Sequence, residues 1–213
     1  MKKRSVKKPA IKGLYAITPD ELNTATLLHK VRLALQGGAQ VLQYRNKSAD
    51  PALKFQQALA LRQLTREFET TFIVNDDAQL ATQVDADGVH LGGEDGSVAA
   101  ARALLGGTKI IGVSCYNRLS LAREAVQQGA DYVAFGAFFP SSIKPDAVKA
   151  ELALLQTARK ELGIPVVAIG GITQQNGVSL IEAGASALAV ISALWNAADI
   201  KTGAQEFSTL FKA

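Results

Sequence analysis

Short apolar runs alternate along this chain with longer stretches whose apolar residues recur at helical spacing. The runs at 13–17, 41–44, 72–74, 88–91, 109–113, 132–135, 165–169 and 187–191 are four or five residues long at most and rich in valine, isoleucine and alanine. Most stop at polar or glycine clusters: Thr18-Pro19-Asp20, Arg45-Asn46-Lys47-Ser48, Asn75-Asp76-Asp77, Gly92-Gly93-Glu94-Asp95 and Gly170-Gly171. Such runs read as buried strands and their stops as turns. Between them, 21–36, 50–69, 78–84, 98–105, 118–128, 148–161 and 174–182 carry helical spacing, and a terminal helix closes the chain.

Eight strands alternating with eight helices point to an α/β fold, a single (β/α)8 TIM barrel, with an open doubly wound sheet as the alternative. An internal repeat supports closure: the small-residue turns at 37–42, 85–90, 129–134 and 184–189 each lead into an even-numbered strand. No shift in composition marks a second domain, so residues 1–12 are expected to form a basic flexible tail and 13–213 the catalytic barrel.

An apolar content of 48% supplies a core for 213 residues. No 18-residue stretch lacks charged or polar breaks, so no membrane partner is expected. The formal charge of +4 would hint at nucleic acid, but five basic residues fall in the first eight positions. Without them 18 basic residues face 19 acidic ones, and no nucleic-acid partner is expected. The basic run is followed by no apolar segment and is not a secretory signal. The single cysteine, Cys115, excludes an internal disulfide and fits a cytoplasmic location. Homo-oligomerisation is left open.

In a barrel of this kind chemistry gathers in the loops after the strands. Those positions are unusually polar here: Gln43, Arg45 and Lys47; Asn75 and Asp76; Glu94 and Asp95; Ser114; Ser141, Ser142 and Lys144. Carboxylates from the third and fourth turns could share one hard cation, although Asp76 or Asp77 could instead cap the helix that follows. Glycines at 170–171 and the turn at 190–192 suit an anion at a helix N-terminus, or a plain tight turn. Arg45, Lys47 and Lys144 beside two carboxylates suit a polyphosphate chelated to a divalent ion. His90 reads as an internal packing or bonding residue. Cys115 has no evident base and is not expected to act as a nucleophile.

Gln43-Tyr44-Arg45-Asn46-Lys47, Asn75-Asp76, Gly92-Gly93-Glu94-Asp95, Gly112-Val113-Ser114, the 140–146 loop, Gly170-Gly171-Ile172 and Ile191-Ser192 resemble, in order and spacing, the thiamine-phosphate synthase family. The resemblance implies a transferase that condenses hydroxymethylpyrimidine diphosphate with hydroxyethylthiazole phosphate, two phosphorylated small molecules, with Mg²⁺ as cofactor. It implies that Gln43, Tyr44, Arg45, Asn46, Lys47, Asn75, Ser114 and Lys144 hold the pyrimidine diphosphate, and that Arg45, Lys47, Ser114 and Lys144 serve catalysis. Ser141, Ser142, Ile143, Gly171, Ile191 and Ser192 would hold the thiazole phosphate, and Asp76 and Asp95 the metal. Two positions depart from the family pattern: Gly93 stands where glutamine is usual, and Ile143 where a second hydroxyl is usual. Rival readings are a thiazole tautomerase, whose acid–base position holds Tyr116 here; a Schiff-base aldolase acting through Lys144; and a non-catalytic binder of thiamine precursors.

Overall fold

The computed structural model describes residues 8–93, 96–140 and 148–212. Strands and helices alternate in the order β1 (Gly13–Ile17), α1 (Thr24–Gln36), β2 (Val41–Tyr44), α2 (Pro51–Glu67), β3 (Thr71–Asn75), α3 (Ala78–Gln83), β4 (Gly88–Leu91), α4 (Val98–Leu105), β5 (Ile110–Ser114), α5 (Leu119–Gln127), β6 (Tyr132–Phe135), α6 (Leu152–Glu161), β7 (Val166–Ile169), α7 (Gln174–Glu182), β8 (Ala187–Val190), α8 (Ser192–Trp195) and α9 (Ile200–Thr209). Each strand pairs in parallel with the next, and β8 pairs with β1, so the sheet closes into a (β/α)8 barrel. Among the described residues no helix is long and apolar enough to cross a membrane.

The helix starts follow local capping chemistry. Asn23, Asp50, Asp77, Ser97, Thr173 and Asp199 each accept a first-turn backbone N–H, and Thr173 with Asn176 forms a reciprocal capping box. Three expected boundaries move for identifiable reasons. The first helix starts at Thr24 rather than 21, because Asn23 caps it and the Glu21 carbonyl accepts the Asn46 and Gln57 amides. The sixth starts at Leu152 rather than 148, because Val148 and Ala150 pair through their backbones with Ala137. The terminal helix is two: a four-residue α8, then α9 behind the Asp199 cap.

The repeat in the sequence is one helix-to-strand turn used four times. After α1, α3, α5 and α7 a residue with positive φ (Gly38, Asp85, Gly129 or Gly184) precedes a buried alanine. The N–H of that alanine (Ala39, Ala86, Ala130 or Ala185) reaches back to a carbonyl five residues earlier, and the strand begins two residues on. This is the arrangement that closes helix ends with a left-handed residue. It sets both the direction and the starting register of every even strand.

Strand alternation divides the core into two layers. Outward residues such as Leu42, Phe72, Val89, Ile111 and Phe135 pack under the helices. Inward residues, including Tyr15, Val41, Ile73, Ile110, Tyr132 and Val167, fill the barrel. Residues 8–12, expected to belong to the flexible tail, include Ile11 in this inner layer and Lys8 paired with Asp131; residues 1–7 lie outside the described residues.

At the amino ends of the strands, Asp87 accepts both Arg62 Nη atoms at 3.0 Å and the Phe72 N–H at 2.8 Å. Asp131 plays the same part for Arg102 and the Ile111 N–H. The Arg62 side chain is only 11% exposed, so losing its partner leaves a nearly buried charge. Asp87→Ala is expected to destabilise the fold by about 3 kcal/mol in urea titration. Arg123→Ala, which breaks an exposed pair with Glu161, should change stability by no more than about 1 kcal/mol.

Candidate active site

β2 ends by placing its residues alternately. Gln43 points inward, is buried, and donates from Nε2 to the Tyr15 hydroxyl at 2.8 Å. Tyr44 points outward into the layer under the helices, where its hydroxyl donates to Gln57 Oε1 at 2.9 Å. Beyond the strand, Thr18 and Arg45 exchange two hydrogen bonds, and Asp20 accepts from the Arg45 guanidinium at 3.3 Å and from the Lys47 N–H at 2.7 Å. One aspartate thus shapes the loop that presents two cations. Asn46 is 4% exposed; its Nδ2 donates to the Glu21 carbonyl and to Gln57, and its Oδ1 accepts from the Ser48 and Ala49 N–H groups.

Tyr44 and Asn46, expected as ligands of the pyrimidine diphosphate, therefore turn their side chains away from the mouth. Alternation sends Tyr44 to the helix side, and Asn46 is consumed in holding the turn.

After β3 the two aspartates separate in role. Asp77 accepts the Leu80 N–H at 2.8 Å and is the cap of α3. Asp76 has φ 63° and sends its N–H to the His90 carbonyl, and its carboxylate accepts from Asn75 Nδ2 at 2.6 Å. It lines a cavity of about 370 Å³ that lies between α3 and α4, with Asp77, Gln79, Ser97 and Leu104; Gln43, Arg45 and Ser114 do not line it. Asp95, its expected partner, lies outside the described residues. Gly93, at the end of β4, has Tyr116 beyond β5 as its neighbour. A Cβ at Gly93 would sit 2.8 Å from the hydroxyl of the exposed Tyr116, the outer end of a side chain that can swing aside.

Ser114, the last residue of β5, bonds His90 Nε2 at 2.8 Å. His90 Nδ1 meets the Tyr132 hydroxyl at 2.9 Å, and Tyr132 meets the Tyr15 hydroxyl at 2.8 Å. A line of hydrogen bonds thus crosses the barrel from Gln43 to Ser114. Burial raises the pKa of both tyrosines, so both are neutral phenols. Burial likewise pushes the Cys115 thiol up to about 12, which leaves almost no thiolate at neutral pH and agrees with its expected inertness.

Ser141, Ser142, Ile143 and Lys144 lie outside the described residues. Gly170 and Gly171 have φ of 104° and 59°. A Cβ at Gly171 would lie 2.3 Å from the Pro140 carbonyl oxygen, so the seventh loop packs backbone to backbone against the sixth. Ile191 precedes α8 without a side-chain cap, and Ser192 opens that short helix. Trp195 is a packing residue: buried, its indole N–H donates to the Ile17 carbonyl at 2.6 Å.

Sequence reasoning passed over Tyr15, Tyr132 and the short α8. A tyrosine within an apolar run reads as filler. The available signal was register: Tyr15 alternates with Ile17, the lateral partner of Gln43, and Tyr132 is the partner of Gly112, the partner of His90.

The chain matches the model of the thiamine monophosphate synthase family over residues 14–194. It is 60% identical over 203 residues to a thiamine-phosphate synthase of Methylobacillus flagellatus, covering 95% of this chain and 97% of that one. It is 53% identical over 201 residues to a thiamine-phosphate synthase of Nitrosomonas eutropha, covering 94% and 95%. Among solved structures, a thiamine phosphate pyrophosphorylase from Pyrococcus furiosus superposes with a TM-score of 0.84 at 37% identity, over 94% of this chain and 95% of that one. Fold, strand-end residues and near full-length identity converge: the chain belongs to the thiamine monophosphate synthase family, transferases of thiamine biosynthesis.

Proposed function

We propose that the chain condenses 4-amino-2-methyl-5-hydroxymethylpyrimidine diphosphate with hydroxyethylthiazole phosphate, giving thiamine phosphate and diphosphate. The observation that supports this reading is that Gln43, Arg45, Asn75, Asp76 and Ser114 all stand at the carboxyl ends of β2, β3 and β5, on one face of the closed barrel. The identity to named synthases over nearly the whole chain supports it.

In the reaction the bond between the pyrimidine methylene and the diphosphate oxygen breaks, and its electron pair leaves with the diphosphate. Positive charge grows on the methylene carbon, shared with the electron-rich aminopyrimidine. The thiazole nitrogen then supplies the pair for the new carbon–nitrogen bond. Arg45 and Lys47, with Lys144, meet the charge that grows on the departing diphosphate. Asp20 preorganises the first two by holding the Arg45 guanidinium and the Lys47 backbone. Gln43 and Ser114 orient the pyrimidine diphosphate. Gly171, Ile191 and Ser192, with 141–143, hold the thiazole phosphate, so its ring nitrogen faces the carbon in line. No protein nucleophile is needed, in keeping with the protonated state of Cys115.

The residues present fit a hard divalent cation. Asp76 offers carboxylate oxygen at the mouth, capping of α3 falls to Asp77, and Asn75 steadies the carboxylate from the side. Asp76 and Asp95 would hold Mg²⁺, which when bound neutralises diphosphate charge.

Diphosphate release from the purified protein tests the reading. It is expected to require both substrates and Mg²⁺; release from one substrate alone, or unchanged release in chelator, contradicts it. Asp76→Asn, a residue tolerated at φ 63°, should lower kcat/KM by about 10²-fold or more while leaving urea stability near wild type. Asp77→Ala should do the reverse, costing about 1 kcal/mol of stability through loss of the helix cap and sparing turnover.

A further inference from the structure

The barrel interior holds a polar line whose two ends are the proposed pyrimidine ligands and whose middle has no assigned part. Its links are Gln43 Nε2 to Tyr15 at 2.8 Å, Tyr15 to Tyr132 at 2.8 Å, Tyr132 to His90 Nδ1 at 2.9 Å, and His90 Nε2 to Ser114 at 2.8 Å. The five strands that contribute these residues, β1, β2, β4, β5 and β6, surround the interior on different sides, so the line spans the barrel rather than following one strand.

The site is shaped to admit it. His90, Gly112 and Tyr132 are lateral neighbours on β4, β5 and β6. A Cβ on Gly112 would fall 1.9 Å from Tyr132 Cζ and 2.4 Å from its hydroxyl oxygen. Glycine at that position lets the phenol lie across β5 and stack on the His90 ring, 5.5 Å between centroids at 27°. Any other residue there would push Tyr132 away from both of its partners.

Counting protons gives the line a direction. An amide nitrogen only donates, so Tyr15 accepts from Gln43 and must give its own proton to Tyr132. Tyr132, having accepted, gives its proton to His90 Nδ1. A neutral imidazole in that position carries its hydrogen on Nε2 and donates to Ser114. Ser114 receives a hydrogen from inside the barrel, and its own proton is left for an acceptor at the mouth.

We propose that Tyr15, Tyr132 and His90 are positioning residues that transmit the Gln43 amide orientation across the barrel, so that with Gln43 Nε2 facing Tyr15 the Ser114 hydroxyl is held as a donor to the pyrimidine diphosphate. The proposal rests on the reading of Gln43 and Ser114 as ligands of that substrate. The relay touches no reacting atom. It selects a substrate that presents an acceptor to Ser114 and disfavours an isostere that presents a donor, because such a ligand would leave two hydrogens facing each other. Reversing the line would require Gln43 to turn its amide, so the two ligands are coupled although their strands are not adjacent.

Two measurements test it. ¹⁵N NMR of histidine in the free protein reads the tautomer directly; of the two histidines, His29 is exposed on α1, so the buried ring is readily assigned. The Nε2–H form of His90 is expected, and an Nδ1–H form overturns the relay whatever the activity. Kinetics test its consequence. Tyr132→Phe removes one hydroxyl, frees the imidazole to switch tautomer, and lets Ser114 donate inward. It is expected to raise KM for the pyrimidine diphosphate about tenfold, with KM for the thiazole phosphate unchanged. Ser114→Ala should do the same, and the double variant should be no worse than Ser114→Ala alone. Additive effects, or an equal rise in both KM values, overturn the positioning role. Tyr15→Phe breaks the line one link away with Tyr132 kept in place, and should reproduce the Tyr132→Phe pattern if that variant folds poorly. Failure of the wild type to release diphosphate would sink the functional reading alone, since the tautomer still decides the direction of the line.

Discussion

A closed ring of short parallel strands allows a polar side chain to be buried and still face a ligand only in the last inward layer. Below that layer the interior must be filled with apolar bulk; outside it, the helices claim the other face of every strand. Each strand of four or five residues therefore has one or two positions with access to the mouth, and the register decides which residues hold them. In this chain the turns that begin the even strands set that register. The alanine N–H that closes each helix end also starts the strand two residues on, so Gln43 and His90 face inward while Tyr44 and Leu91 face outward. A slip of one residue in β2 would exchange Gln43 for Tyr44 and remove the start of the buried polar line.

That constraint explains what could be read from the amino acids and what could not. The number and placement of strands were legible because a fully buried parallel strand is a continuous apolar run, and nearly every run here ends in a polar cluster. The polar clusters also mark the mouth, so Gln43, Asp76 and Ser114 stood out. What the sequence does not display is that a contiguous motif need not be a contiguous surface. In Gln43-Tyr44-Arg45-Asn46-Lys47 the pleat and then the turn distribute the five side chains among different environments. Tyr44 goes to the helix layer and Asn46 into the turn's own hydrogen bonds. The question of whether Asp76 or Asp77 caps α3 could not be decided by composition, because either spacing permits a cap. The chain gives the cap to Asp77, whose backbone is extended and whose carboxylate accepts the Leu80 N–H, and leaves Asp76 in the left-handed turn before it.

The glycines teach the same lesson in reverse. Gly112 and Gly93 could be read only as members of motifs, since a missing side chain carries no chemistry of its own. In three dimensions each is defined by a tyrosine. Gly112 clears the path by which Tyr132 reaches His90, and Gly93 faces the Tyr116 hydroxyl at the rim. One pair shapes the interior and the other the edge of the same mouth.

A polar line inside an apolar barrel has to be complete to be tolerated. Each of its hydroxyl and imidazole groups, removed from water, costs roughly 1–3 kcal/mol if left without a partner. The two phenols, kept neutral by burial, have one proton each to place, and a neutral imidazole has one ring nitrogen to give and one to accept. With so few protons the line admits only two global arrangements, both internally satisfied and of opposite direction. A buried network of this kind contributes little net stability over apolar packing. What it supplies is a choice between two states that is made at one end and felt at the other. In this barrel the ends are Gln43 and Ser114, and only one of the two arrangements leaves the serine proton facing out. The physical reason to keep two tyrosines and a histidine in the interior, where leucine would pack as well, is control over the direction of a hydrogen bond at the mouth.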